Sequence, residues 1–526
     1  MDRTRGACAM KLQEIVSNPY EGREVIRRWI AMAVWAVAAL IIADWIATEH
    51  MLRLAALAGI ALGILVAAGM QRKAWLLIIV GYSFKGSIEA LPVPLSVYDV
   101  MVLLATFSYI LQRFTIGPST RRPLGVLDWL LGLNCALMAV TFLCHPVGLR
   151  SLGSRTIGAA SYFNIFIACC AFWVMVHLPD SYRSVSRIPL WLMAGMSVST
   201  LISVAVYVFP SITPYVWYFY SSVDISEYMG SLHVATVSQD EPQVKRLMQL
   251  APFGLMLVQF LSAYYPPRTL LNPLRWRFYL FVLGIAAVLA SGFRNTLLFA
   301  IASLVLGCWF HRGWREVIVG GATGLLLLAL VVFGQGRFYQ LPLPAQRALS
   351  FLPGQWAEPI EGEVKASNSR FEWWRQILEE DSIKNWWLGD GFGVSEADYE
   401  LFHGRTGSTE WLTLTGTLHN GPLTTIRYAG VIGLVLFYAL MIAAAIQSVK
   451  CVQRCRGTPL LPLAIFLAIQ LVWIPIHYTF AFGSFNEQLP EHIFLIGLLL
   501  LVWNMSVIRQ RGEHATVMGQ KAKMGG

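Results

Sequence analysis

Long apolar windows recur along this chain, separated by short connections that are polar and often basic. They fall at 29–48, 51–69, 74–91, 97–112, 124–144, 156–177, 188–209, 248–264, 276–292, 294–310, 316–333, 423–447, 459–480 and 488–507. A helix of roughly 20 apolar residues spans about 30 Å of hydrocarbon, so the pattern predicts an all-α polytopic membrane protein with about 14 transmembrane helices. Lys85 and Glu89 interrupt the third window. That window therefore reads as a broken helix or a re-entrant segment buried by its neighbours.

Two polar stretches are long. Residues 210–247 hold the aromatic run VWYFYSS followed by Asp240 and Glu241. Residues 334–418 form a larger loop that is not low-complexity and carries Trp356, Trp373, Trp374, Trp386, Trp387 and Trp411. A loop of that size between two spans is usually functional, and its tryptophans suit folding over a membrane surface. The expected organisation is an N-terminal tail at 1–28, eleven helices within 29–333, the large partly helical loop at 334–418, three helices within 423–507 and a C-terminal tail at 508–526.

Composition agrees with this pattern. The 526 residues are 56% hydrophobic and 13% charged, with a mean hydropathy of +0.57, which is too apolar for a soluble globule. No small-residue cleavage site separates the basic tail from the first window, so that window reads as an anchor. With a cytoplasmic N-terminus, the inner segments hold 25 of the 40 Lys and Arg residues. Of the remaining 15, seven lie in the long loop, which the positive-inside rule does not count. Both termini are then cytoplasmic and the long loop lies on the outer side. The net charge of +10 is mostly a topology signal and implies no nucleic-acid partner. The eight cysteines fall in expected helices or on the inner side, so no disulfide framework is implied, and Cys451 and Cys455 lack further ligands for a metal.

Candidate chemistry concentrates on the outer side. In SNSRFEWWRQILEE, Ser369 and Glu372 have capping-box spacing, and Phe371, Trp374 and Leu378 fall on one helical face. Arg370 then stands near the positive end of the helix, where an anion would meet both the guanidinium and exposed N–H groups. In WWLGDGFG, Gly389, Gly391 and Gly393 alternate, which suits a tight turn better than a nucleotide loop. Arg294, in LASGFRNTLLFA, sits in a very short outer turn, and Arg155, preceded by Arg150, begins another span at that level. Such cations work against the topology bias and suggest an anionic partner, or a side chain reaching lipid phosphates. In GTLHNGPLTTIRYAGVIGLV, His419 is a candidate base at a helix start. Asn420 can cap that helix or hold a substrate hydroxyl, and Arg427 lies two turns further in.

The order SGFRNTLLF, NSRFEWW, LGDGFG and LHNGPLTTIRYAGVIGLV resembles the bacterial O-antigen ligase and O-antigen polymerase superfamily of membrane glycan transferases. The resemblance covers roughly residues 280–440. It includes an Arg at the outer end of a helix, a large periplasmic loop with an Arg and a glycine pair, and a His-Asn before a helix bearing Gly430 and Gly433. Phe293 stands where the family often has Ser or Gly, and the spacing from glycine turn to His is variable.

The resemblance implies transfer of a glycan from undecaprenyl diphosphate to an acceptor sugar hydroxyl at the periplasmic face of the bacterial inner membrane. Arg294 and Arg370 would bind the leaving diphosphate and His419 would remove the acceptor proton. Asn420, Arg155 and Arg427 are candidate substrate-binding residues. The expected reaction needs no metal or cofactor, and an inverting displacement is the simplest course. A metal-assisted alternative would use Asp44, Glu49 and His50 in ADWIATEH. Fourteen spans and the loop's size favour polymerisation of O-antigen or exopolysaccharide repeat units over ligation to lipid A-core. A lipid-linked oligosaccharide flippase is an alternative of another class, against which stand the absence of an internal repeat and the concentration of polar residues at one surface.

Overall fold

The computed structural model describes residues 73–91, 95–116, 124–146, 159–177, 181–222, 247–358, 369–379, 383–393 and 418–524, with a few isolated positions elsewhere. Among these residues the regular elements are helices, and β-structure is confined to isolated bridges. The window at 29–48 lies almost wholly outside the described residues and that at 51–69 more than half outside them; Asp44, Glu49, His50, Arg150 and Arg155 lie outside them altogether.

In chain order the main helices are α1 (Trp75–Gly81), α2 (Val97–Ile116), α3 (Val126–Cys144), α4 (Ala160–His177), α5 (Ile188–Val208), α6 (Leu250–Tyr264), α7 (Trp276–Ser291), α8 (Arg294–Arg312) and α9 (Trp314–Gly334). There follow α10 (Leu343–Leu349), α11 (Ser369–Glu379), α12 (Gly421–Arg454), α13 (Leu461–Phe480) and α14 (Phe485–Met524). Eight helices among the described residues are long and apolar enough to cross a membrane, and α6 and α7 are shorter apolar helices. The protein is therefore a multi-pass, all-helical membrane protein.

The third window shows why it is the least regular in sequence. Helix α1 stops at Gly81, and the chain from Tyr82 to Leu91 runs without a helix. Its backbone groups find partners in other irregular segments: Ser87 and Ser221 exchange two bonds of 3.2 and 2.8 Å, and Ile88 N–H donates to the Leu95 carbonyl at 2.8 Å. Helix α2 then starts with a reciprocal cap, in which Ser96 N–H donates to the Asp99 carboxylate and Asp99 N–H to the Ser96 hydroxyl. Non-helical backbone at such a position is tolerable only when buried in protein or lining a polar cavity.

Burial separates the helices into centre and periphery. The spanning part of α14 is 72% buried and that of α13 61%, whereas α9 is only 6% buried. Helix α14 lies along α4, α12 along α13, and α6 along α7. The outward side of α9 exposes Leu325, Leu326 and Leu330, an arrangement suited to lipid and costly in water. One end of the bundle gathers the starts of α8 and α12 and the close of α13. Phe299 of α8 packs on His477 of α13, and Phe482, just beyond α13, packs on His419.

Candidate active site

His419 has a φ of 52° and is the one non-glycine residue in the left-handed region among the described residues. That conformation costs on the order of 1 kcal/mol or more, so its neighbours must hold it. On one side, the carbonyl of buried Leu418 accepts the Trp374 indole N–H at 2.9 Å. On the other, Asn420 caps α12: its side-chain oxygen accepts the Leu423 N–H at 3.0 Å. The His419 imidazole is half-buried and rests on the Phe482 ring at 5.1 Å between centroids. Gly421 meets Tyr478 so closely that a Cβ there would overlap the Tyr478 carbonyl. Thr425 and Tyr478 share a hydroxyl–hydroxyl bond of 2.6 Å that fastens α12 to α13 at the same level.

Helix α11 docks directly on this corner. Ile377 is fully buried with Ile383, Leu418 and Leu423, and Trp374 packs at the cluster's edge. The inward stripe is thus Trp374 and Ile377, not the expected Trp374 and Leu378; Leu378 is 51% exposed. In this docking the Trp374 indole bonds the Leu418 carbonyl and position 377 faces inward. Arg370 occupies the first turn of α11, one turn before Trp374. The helix that carries Arg370 therefore touches the residue preceding His419. The side chains of Ser369, Arg370, Phe371 and Glu372, and hence the expected capping box, lie outside the described residues.

Nine residues beyond its first residue, α12 is broken. Gly430 has φ 67° and ψ −174°, a conformation essentially restricted to glycine. In an unbroken helix the N–H groups of Val431 and Ile432 would donate to the carbonyls of Arg427 and Tyr428. Instead, those carbonyls accept N–H groups of Asp390 and Gly391 at 2.9 and 3.1 Å, while Val431 and Ile432 donate to the Trp386 and Trp387 carbonyls at 2.8 and 3.4 Å. Four backbone groups freed by the break are thus satisfied by the inserted segment 386–391. A Cβ on Gly430 would overlap the Trp387 carbonyl, and one on Gly389, at φ 74°, would overlap the backbone of Tyr428 and Ala429.

The insertion also fixes the charges. Asp390 is ion-paired with Arg427 at 3.2 Å, both nearly buried, and its carboxylate accepts the N–H groups of Lys384 and Asn385 at 3.1 and 2.9 Å. Arg427, a candidate substrate ligand from sequence, is held by the loop's own carboxylate. Phe392 follows into the bundle core between Tyr162, Tyr428 and Phe485. The alternating glycines do make a tight turn, with positive φ at 389, 391 and 393. That turn is seated inside a split helix.

Arg294 is the first residue of α8 and half-buried. Gly292, at φ 74°, closes α7 in the turn just before it. The Arg294 Nε donates to the Arg347 carbonyl of α10 at 3.3 Å, and the Arg347 side chain passes over Gly292. Helix α10 thereby brings a second arginine to the turn. Among the described residues no three His, Cys, Asp or Glu side chains gather as a metal site requires.

Residues 279–438 match the O-antigen ligase family. The matched segment begins in α7, includes Arg294, Arg370, the inserted turn and His419, and ends within α12 just beyond its break. It supports the O-antigen ligase and polymerase superfamily and glycan transfer of that general type, on a lipid-linked glycan. No curated protein matches the chain. Within the matched segment, sequence reasoning did not single out Asp390 as the partner of Arg427, nor Arg347. The first had a signal, an Asp between two turn glycines; the second had none, because α10 reaches Arg294 only through tertiary packing.

Proposed function

We propose that the protein transfers a glycan from undecaprenyl diphosphate to an acceptor sugar hydroxyl at the periplasmic face of the bacterial inner membrane, polymerising repeat units of O-antigen or exopolysaccharide. The observation that carries this reading is the corner where His419, in a held left-handed conformation, adjoins the helix bearing Arg370. His419 accepts the proton of the acceptor hydroxyl. The hydroxyl oxygen forms the new bond to the anomeric carbon as the bond to the diphosphate oxygen breaks, and the departing electron pair remains on the diphosphate. Arg294 and Arg370 stabilise that growing negative charge, and the anomeric centre inverts. Asn420 sets the backbone from which His419 projects. Arg155 is proposed as a further anion ligand on the same face, and the scheme requires no metal or cofactor.

Fourteen crossings, with both termini cytoplasmic and residues 334–418 periplasmic, are the topology that the Lys and Arg distribution favours. A second reading, ligation of the glycan to lipid A-core, is favoured by the description of the matched family. Deletion of the gene followed by mass analysis of lipid-linked glycans tests both. Single repeat units on the outer face support polymerisation, and long chains still on the carrier support ligation. Units trapped on the inner face overturn the transferase in favour of a flippase. Complementation with His419→Ala is expected to leave outer-face substrate unused, with transfer reduced at least 100-fold, in the range for loss of a general base.

A further inference from the structure

A group of polar side chains outside the arginine and histidine corner remains open. Tyr82, at the end of α1, stacks on Phe494 and donates its hydroxyl to Glu491 at 2.9 Å. Glu491 lies two turns inside α14, half-buried and within electrostatic reach of His477. A carboxylate can accept about four hydrogen bonds, yet among the described residues Tyr82 is the one donor that reaches it. The His477 imidazole makes no hydrogen bond among the described residues, and its ring lies 5.6 Å from that of Phe299. One turn earlier, Trp473 also packs on Phe299, and its buried indole N–H has no acceptor among the described residues. The Lys85 ammonium stands 4.9 Å above the Tyr82 ring and is exposed.

An exposed ammonium and a half-buried carboxylate within a helical bundle imply an opening that water or a polar ligand can enter. The open groups are of both kinds: a donor at Trp473, acceptor capacity at Glu491, and an imidazole that can do either. A closed structural network would satisfy them among themselves. Sugar hydroxyls donate and accept, and their apolar ring faces stack on aromatic rings, here Phe299 and Trp473. A diphosphate would be repelled by Glu491. Contacts connect this group to the proposed base, since His477 lies within the last turn of α13 and Phe482 beyond it carries the His419 ring.

We infer that Tyr82, Trp473, His477 and Glu491 form the subsite for the acceptor sugar, with Glu491 accepting its hydroxyl hydrogen bonds. This inference rests on the transferase reading above and extends it to a region outside the matched segment. Binding is measured on the full-length protein in lipid nanodiscs with two probes. One is the repeat-unit oligosaccharide released by mild acid from the cell's own lipid-linked pool; the other is geranyl diphosphate.

Glu491→Gln is expected to weaken oligosaccharide binding at least tenfold while geranyl diphosphate binding stays unchanged, and Tyr82→Phe is expected to weaken it several-fold. Oligosaccharide binding should persist with saturating geranyl diphosphate present. Unchanged oligosaccharide binding in Glu491→Gln overturns the subsite, as does a wild-type protein that binds no oligosaccharide. Loss of both probes with a lowered Tm in both variants makes the group structural and also overturns it. Failure of the transferase reading looks different: His419→Ala would still transfer glycan, or geranyl diphosphate would not bind while the oligosaccharide did.

Discussion

Helices α12 and α13 lie side by side, and each contains a residue that disfavours helix. Helix α13 keeps Pro475 and runs unbroken from Leu461 to Phe480, whereas α12 splits at Gly430. A proline removes one donor and crowds the preceding turn; a glycine removes nothing. Intrinsic preference alone would therefore place the break in the wrong helix. The difference lies in what arrives from outside. Near Pro475 one backbone bond is lost and α13 continues around it. At Gly430 a loop brings two carbonyls and two N–H groups to the four groups that the break frees. A helix in a membrane can open where another segment completes its backbone hydrogen bonds.

The largest effect expected from disturbing this arrangement is at Gly430 itself. Gly430→Ala places a Cβ on the Trp387 carbonyl in a backbone conformation that alanine avoids. Strain and displacement of the inserted turn together are expected to cost about 3 kcal/mol or more, with glycan transfer lost because His419 and Arg370 flank the same loop. Thermal unfolding in detergent, alongside transfer in reconstituted membranes, checks both parts. A variant with wild-type Tm would mean that the inserted turn does not require the glycine.

Asp390→Asn is the next largest. It leaves the Arg427 guanidinium nearly buried beside a neutral amide, which typically costs about 3 kcal/mol when a buried pair is broken on one side. Combining it with Arg427→Met should recover more than half of the loss, because the unpaired charge, not the missing attraction, dominates. A double-mutant cycle on Tm reads this coupling, and additive losses would show that the pair contributes little.

These residues also mark how far the sequence could be read. The spanning windows, the helix at 369–379 and the His-Asn start of α12 are local patterns; among the described residues, the helix, the His-Asn start and the windows from 97 onward appear in the fold near their expected places, whereas the helix in the third window stops at Gly81. The order of motifs around Arg294, Arg370 and His419 was legible as a resemblance. The split in α12 was not, although Gly430 and the triple-glycine turn were both conspicuous. Each glycine has a local explanation, and only the pairing of 386–391 with 427–432, as of Asp390 with Arg427 and Trp386 with Val431, joins them. Arg347 and Glu491 were hidden for the same reason. Their significance lies in neighbours distant in sequence: Arg294 for one, Tyr82 and His477 for the other. The inward face of α11 shows the limit within one helix, since the tertiary cluster of Ile383, Leu418 and Leu423 buries Ile377 and leaves Leu378 exposed.

Pro475→Ala should produce the smallest effect and tests the other half of the comparison. The substitution restores an N–H that can donate to the Leu471 carbonyl and removes ring crowding, but α13 has already accommodated the proline. Thr479 donates its hydroxyl to the Pro475 carbonyl at 2.7 Å and shares a bond of 2.6 Å with the Tyr438 hydroxyl, so the last turn is fastened to α12 whichever residue stands at 475. Stability is therefore expected to change by about 1 kcal/mol or less. A loss as large as that of Gly430→Ala would mean that the proline shapes the bundle and that the two helices do not differ as argued. Unchanged Tm with weaker acceptor binding would carry a separate meaning, because His477 lies two residues beyond the proline. The turn at Pro475 would then be setting the position of the imidazole against Glu491.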